Sequence, residues 1–160
     1  MPPSRILVVD DDPASRDLLG RILAAEGHAV VPLADGRDAV AELGRAPADL
    51  VVSDIRMADL DGFQLAEQMR ERTPDVPVIL VTAFGDVEGA VEAIRRGAFD
   101  YLSTPYDVDA LRLVVRRALT QRALALENRS LRRQARAKNR RGGAAGRTQG
   151  TPPAQQARAR

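Results

Sequence analysis

The chain has 160 residues, 44% of them hydrophobic and 29% charged, which is enough apolar material for a packed core and excludes wholesale disorder. It has no cysteine and a single histidine, His28, so disulfides, a cysteine nucleophile and thiolate or multi-histidine metal sites are excluded. No apolar run approaches the roughly 18 residues of a membrane span, and the N-terminus leads into a short apolar run with no signal-peptide pattern. We therefore expect a soluble, cytoplasmic protein.

The formal net charge of +2 combines two parts of opposite sign. Residues 1–120 carry 13 arginines against 21 carboxylates, a net charge of −8. Residues 121–160 carry ten arginines and Lys138 against Glu127, a net charge of +10. This asymmetry indicates one acidic domain followed by a basic appendage.

Four short apolar runs and a fifth, weaker one predict β-strands. Most are rich in β-branched residues, and three lack alternation, which is typical of parallel strands buried on both faces. Helically spaced apolar residues lie between them and predict amphipathic helices. The alternation predicts an α/β fold, a doubly wound five-stranded parallel sheet with ligands at the carboxyl ends of its strands. The five runs are residues 6–9, 29–33, 50–52, 78–81 and 101–102.

The last predicted helix begins near Asp107 and extends to about Arg136, so the fold carries an extended C-terminal helix. Leu124 and Leu131 are one heptad apart, which leaves a dimeric coiled coil as an alternative to a single helix. We expect a domain over 1–120, a basic helical extension over 121–141 and a disordered basic tail over 142–160. The tail is predicted to be disordered because its Gly, Ala, Gln, Pro and Arg residues show no periodicity.

Carboxylates lie at the ends of the first and third predicted strands. Asp10, Asp11 and Asp12 come directly after the first apolar run, and the third strand ends in Ser53 and Asp54. Parallel strands would bring them to one sheet edge, where grouped carboxylates repel and are best stabilised by a hard divalent cation such as Mg²⁺. The alternative role is helix capping, which we expect of Asp12 because a proline follows it. Thr82, after the fourth strand, adds a hydroxyl at the same edge.

Four segments of the chain resemble the receiver domain of two-component response regulators. The resemblance covers roughly residues 4–120 and implies a flavodoxin-like fold. It implies phosphorylation by a sensor histidine kinase or a phosphotransfer protein. It also implies a protein that catalyses only its own phosphorylation and dephosphorylation. The segments are ILVVDDD (6–12), SDIRMADLDG (53–62), VILVTA (78–83) and GAFDYLSTPYD (97–107).

The resemblance assigns roles to the carboxylates. It implies that Asp54 is the phosphoacceptor, forming an aspartyl phosphate. It implies that Mg²⁺ is bound by Asp11, Asp54 and the backbone carbonyl of Arg56, while Asp10 acts mainly through water. The run of three aspartates leaves open which two of them act on the metal.

The resemblance also implies a switch and reveals a departure from the family. Thr82 corresponds to the switch hydroxyl and Tyr101 to the aromatic residue whose rotamer follows it. Receivers usually carry a lysine where this chain has Thr104, and the only lysine, Lys138, lies in the C-terminal extension. A charge-assisted hydrogen bond contributes roughly 1.5–3 kcal/mol and a neutral one about 0.5–1.5 kcal/mol. We therefore expect attenuated switching with the acceptor and metal site intact.

The region after residue 120 resembles the linker of nitrogen-regulator-type enhancer-binding activators, yet no GxxxxGK phosphate loop follows it. The resemblance allows a homodimer through the C-terminal helix, or through the face of the fourth helix, fifth strand and fifth helix. One alternative function is a pseudo-receiver, a phosphorylation-independent interaction module. Another is weak, salt-dependent contact of the basic tail with nucleic acid, although the tail has no aromatic residue for base stacking.

Overall fold

The computed structural model describes residues 3–83 and 85–159, with side chains as far as Arg141. In this part of the chain five β-strands alternate with five α-helices, which confirms the predicted doubly wound α/β fold. The elements are β1 (Arg5–Val9), α1 (Pro13–Ala25), β2 (Ala29–Leu33), α2 (Gly36–Arg45), β3 (Leu50–Asp54), α3 (Gly62–Arg72), β4 (Val78–Thr82), α4 (Val87–Arg95), β5 (Asp100–Ser103) and α5 (Val108–Ala159).

The sheet is parallel throughout and has the strand order β2-β1-β3-β4-β5. The chain moves from β1 outward to β2 and then crosses to the other side of β1, so the order reverses between β1 and β3. A crevice forms at the carboxyl ends of strands where the order reverses, and ligands bind there. The register places Val9 beside Ser53 and Asp54 beside Val81.

The core consists of two apolar layers on opposite faces of the sheet. Leu7, Val51 and Leu80 face α2, α3 and α4, while their neighbours along the strands, such as Ile6 and Val52, face α1 and α5. All five side chains are fully buried. Strands β1, β3 and β4 are therefore buried on both faces, as their continuous apolar runs predict.

Strand β2 differs from that prediction because its residues are only partly buried or exposed. It lies at the edge of the sheet and pairs with β1 alone. The third strand runs two residues beyond its apolar run and ends at Asp54, as predicted. The Ser53 side chain is fully buried, and its Oγ donates to the Asp54 carbonyl at 2.8 Å. A polar residue therefore continues the strand where the apolar run ends.

Helix α5 starts one residue after the predicted position. Arg112 pairs at 2.7 Å with Glu26, which follows the last residue of α1, and Arg122 pairs with Asp49 at 3.6 Å. Residues 1–123 form one compact unit and residues 124–160 a second. The tail predicted over 142–160 falls outside the described side chains. Across the part of the chain that the structure covers, no helix combines the length and apolar character needed to cross a membrane.

Candidate functional site

Three carboxylates meet at the carboxyl edge of the sheet. Asp10 and Asp11 follow β1, and Asp54 is the last residue of the neighbouring strand β3. One carboxylate oxygen from each residue lies within 4.8 Å of the other two. Asp10 and Asp54 are partly buried, whereas Asp11 is exposed. The parallel pairing of β1 and β3 thus brings together the residues that the sequence pattern singled out.

The Asp54 carboxylate lies in an electrostatically unfavourable place. Burial, followed by the charge of Asp10 and then that of Asp11, raises its pKa to about 6, while backbone hydrogen bonds from Ile55 and Arg56 oppose the rise. The Ile55 N–H donates to Asp54 Oδ1 at 2.8 Å. A buried anion beside like charges favours either a proton or a cation.

Hydrogen bonds fix Asp10 through its backbone and its side chain. Its N–H donates to the Leu33 carbonyl at 3.1 Å, and its Oδ1 accepts from the Asp12 N–H at 2.9 Å. Its carbonyl accepts from Arg16 Nη1 at 2.8 Å. Asp12 caps α1 as predicted, accepting from the Ser15 N–H at 3.2 Å and from its hydroxyl at 2.6 Å. The acidic loop is therefore tied to both β2 and α1.

A cavity of about 480 Å³ adjoins the carboxylates and is lined in part by Asp10, Asp54, Thr82 and Thr104. Thr82 is only 4% exposed. Thr104 donates to the Thr82 carbonyl from its N–H at 2.7 Å and from its hydroxyl at 3.4 Å. Among the described side chains that line this cavity there is no lysine or arginine. The Thr104–Pro105 peptide bond is cis.

Tyr101 lies outside the lining of this cavity, against the first turn of α4. Its hydroxyl accepts from the Asp86 N–H at 3.3 Å, and Asp86 caps α4 by accepting from the Gly89 N–H at 2.6 Å. A Cβ on Gly89 would lie 2.9 Å from the Tyr101 hydroxyl oxygen. The close approach of ring and helix therefore depends on the glycine.

The sequence pattern did not single out three residues of the site. Arg16 holds the Asp10 carbonyl, and Tyr106 lines the cavity. A Cβ on Gly62 would lie 2.4 Å from the Asp54 carbonyl oxygen. The available signal was that Gly62 lies in the SDIRMADLDG segment and Tyr106 in the GAFDYLSTPYD segment. An arginine in an amphipathic helix carries no sign that it reaches a strand end.

The donor set of the three carboxylates fits Mg²⁺, which prefers hard oxygen ligands and is typically bound by one or two carboxylates with several waters. Their oxygens are close enough to share one ion. Arg56, whose carbonyl the resemblance adds to the ligands, is exposed and follows Asp54 by two residues. Bound Mg²⁺ would neutralise negative charge at this edge of the sheet.

The chain was compared with known families and proteins. The model of the response regulator receiver domain matches residues 6–116. The C4-dicarboxylate transport transcriptional regulatory protein DctD of Pseudomonas aeruginosa is 46% identical over 129 residues, which are 81% of this chain and 28% of that protein. The chain therefore spans less than a third of the length of this relative.

Solved structures agree with the sequence match. The beryllofluoride-activated NtrC4 receiver domain dimer is 32% identical with a TM-score of 0.70, covering 74% of this chain and 98% of that one. NtrX from Brucella abortus is 39% identical with a TM-score of 0.74, covering 82% of this chain and 29% of that one. The chain thus belongs to the response regulator receiver family, and its relatives include regulators of the nitrogen-regulator type.

Proposed function

We propose that this chain is a phosphorylation-responsive receiver that accepts a phosphoryl group on Asp54 from a sensor histidine kinase or a phosphotransfer protein. The observation that carries the proposal is the convergence of Asp10, Asp11 and Asp54, with carboxylate oxygens within 4.8 Å of one another. Membership of the receiver family supports the same function. We place the protein in the cytoplasm, where such kinases expose their phosphohistidine.

The transfer itself requires little covalent chemistry from the protein. A carboxylate oxygen of Asp54 bonds to phosphorus as the P–N bond of phosphohistidine breaks. The imidazole nitrogen keeps the electron pair of that bond and takes up a proton. Catalysis then consists of in-line positioning and charge neutralisation. Asp11, Asp54 and the Arg56 carbonyl would hold Mg²⁺, with Asp10 acting through water, and the ion would supply the positive charge.

Switching would follow from the new phosphoryl oxygens. We propose that the Thr82 hydroxyl donates to a phosphoryl oxygen, and the cavity that Thr82 shares with Asp54 supports this role. A shift of Thr82 would free space for Tyr101 and alter the surface of α4, β5 and α5. That surface, or the C-terminal helix, is where we propose that two copies associate.

Phosphotransfer to the wild type beside Asp54→Asn tests the proposal. With Mg²⁺ and acetyl phosphate or phosphoramidate, the wild type is expected to gain one phosphoryl group per chain by intact mass, and Asp54→Asn none. The matched control is Asp17→Asn, because Asp17 is an exposed carboxylate outside the cluster and pairs with Arg21 at 3.0 Å. A wild type that takes up no phosphoryl group would instead favour the pseudo-receiver, a module that works without phosphorylation.

Thr104 is proposed to weaken switching while leaving phosphorylation intact. It offers one neutral hydrogen bond in a cavity whose described lining has no basic side chain. Thr104→Lys is expected to strengthen binding of beryllofluoride with Mg²⁺ about tenfold, which corresponds to about 1.4 kcal/mol. Thr104→Met is the control, because it adds length without charge. Equal effects of lysine and methionine would show that charge at position 104 is unimportant.

A further inference from the structure

Arg16 connects helix α1 to the end of strand β1. Its backbone N–H donates to the Asp12 carbonyl at 3.0 Å, and its side-chain Nη1 donates to the Asp10 carbonyl at 2.8 Å. The side chain is partly buried. The backbone contact is the ordinary first bond of the helix, so the contact specific to arginine is the one that its guanidinium makes with the first residue of the acidic run.

The contact at the Asp10 carbonyl completes the fixation of that residue. The Asp10 N–H is already held by Leu33, and its Oδ1 by the Asp12 N–H. Among the described hydrogen bonds of Asp10, the one from Arg16 is the only one that comes from another side chain. Its loss would leave the peptide that joins Asp10 to Asp11 without its anchor to α1.

We propose that Arg16 is a positioning residue that holds Asp10 and Asp11 in the geometry that binds the divalent cation. The inference rests on the proposed function only in taking this cluster as the cation site. Groups outside the ligand shell that orient the ligands are known to change metal affinity by roughly 10- to 100-fold. The Asp10–Asp11 peptide carries both carboxylates, so its orientation affects both at once.

A purely electrostatic role of Arg16 predicts the opposite result. Its guanidinium is a positive charge near a site that attracts a positive ion, so removal of that charge alone would strengthen Mg²⁺ binding. Removal of a positioning contact would weaken it. The sign of the change in Mg²⁺ affinity therefore distinguishes the two roles.

The test is calorimetric titration of the full chain with Mg²⁺, without any phosphodonor. Arg16→Gln is expected to raise the Kd for Mg²⁺ roughly tenfold. Arg16→Lys, which keeps the charge and one donor, is expected to recover part of that loss. Arg21→Gln is the matched control, because Arg21 lies on the same helix, is exposed and pairs with Asp17. Its Kd is expected to equal that of the wild type.

A kinetic measurement separates positioning from general loss of structure. For Arg16→Gln, the Mg²⁺ concentration that half-saturates phosphorylation is expected to rise about tenfold, with the rate at saturating Mg²⁺ unchanged. A Kd that stays the same or falls would overturn the proposal. So would equal weakening by Arg21→Gln, because that would reflect a general loss of helix stability. Both outcomes leave the phosphorylation of Asp54 untouched, so this inference can fail independently of the proposed function.

Discussion

The charged form of Asp54 destabilises the fold when no metal is bound. Its pKa is raised to about 6 from 3.8, chiefly by burial. Between these two values the folded state binds more protons than the unfolded state, so stability falls as the pH rises through this window. Above about pH 6 the full cost of the buried charge is present, and most of it has disappeared below about pH 3.

Removal of that charge is therefore expected to stabilise the protein in a pH-dependent way. In chelator at pH 7, Asp54→Asn should raise the free energy of unfolding by about 1–2 kcal/mol, a value discounted for the partial exposure of the group. At about pH 3 the difference should be small, because Asp54 is then mostly protonated in both the folded and the unfolded state. Urea unfolding at the two pH values measures this. If Asp54→Asn raised the free energy of unfolding equally at both pH values, packing and not charge would be responsible.

Gly62 matters because the backbone of the Asp54 residue lies against it. A Cβ there would be 2.4 Å from the Asp54 carbonyl oxygen and 2.8 Å from the Ile55 Cα. These are backbone atoms at a strand end, so they have little room to move. Gly62→Ala is expected to lower the free energy of unfolding by about 1–3 kcal/mol and to reduce phosphorylation of Asp54.

Gly44→Ala provides the comparison for that variant. Gly44 also lies in a helix, α2, but no atom is found within 4 Å of its added Cβ. Alanine there is expected to stabilise the fold by about 0.5–1 kcal/mol, because alanine favours helix more than glycine does. Chemical denaturation of both variants measures whether their free energies of unfolding change in opposite directions. A neutral Gly62→Ala would show that the loop after β3 can relax.

At the level of single elements, the pattern of apolar residues predicted correctly which strands are buried on both faces. Strands β1, β3 and β4 have continuous apolar runs because both of their faces are covered. The edge position of β2 was not predicted, since its composition is as apolar as that of the central strands. The end of β3 at Asp54 was predicted, although Ser53 and Asp54 are polar and lie beyond the apolar run. Backbone pairing with β4, and not side-chain polarity, decides where that strand ends.

The candidate site was predictable where topology alone brings residues together. Asp10, Asp11 and Asp54 follow adjacent parallel strands, so their convergence depends only on strand order. The contact of Arg16 with the Asp10 carbonyl depends on how α1 packs, which no short motif records. The placement of Tyr101 beside α4 likewise depends on a glycine in another element. The roles assigned to these residues stay predictions until they are tested.

At the scale of the whole chain, the compact unit of residues 1–123 is expected to fold on its own. It contains both core layers and the pair of Arg122 with Asp49. A chain ending at residue 123 should match the full chain in thermal unfolding midpoint within about 2 °C and in phosphorylation of Asp54. Differential scanning calorimetry measures the first, and intact mass the second.

A shorter chain gives the contrast. Truncation after Arg116 removes Ala118 and Leu119, which are 0% and 4% exposed, together with Arg122. Loss of one large buried side chain costs about 2–5 kcal/mol, a large part of the stability of a small domain. The chain that ends at 116 is expected to be largely unfolded at 37 °C. Equal stability of the two truncations would show that the last turns of α5 before residue 124 contribute little.

The division of charge between the two parts of the chain has a separate consequence. Residues 121–160 carry 11 basic side chains and one glutamate, so any binding to duplex DNA should come from this segment. If half of these basic side chains contact phosphates, the logarithm of the binding constant should fall with the logarithm of salt concentration at a slope of about −5. The acidic receiver, at −8, should repel DNA, so the chain ending at 123 should not bind. Fluorescence anisotropy of a labelled duplex, measured for both chains between about 50 and 200 mM salt, gives the slope. Equal binding by the full chain and the shorter chain would show that residues 124–160 are not the source of DNA binding.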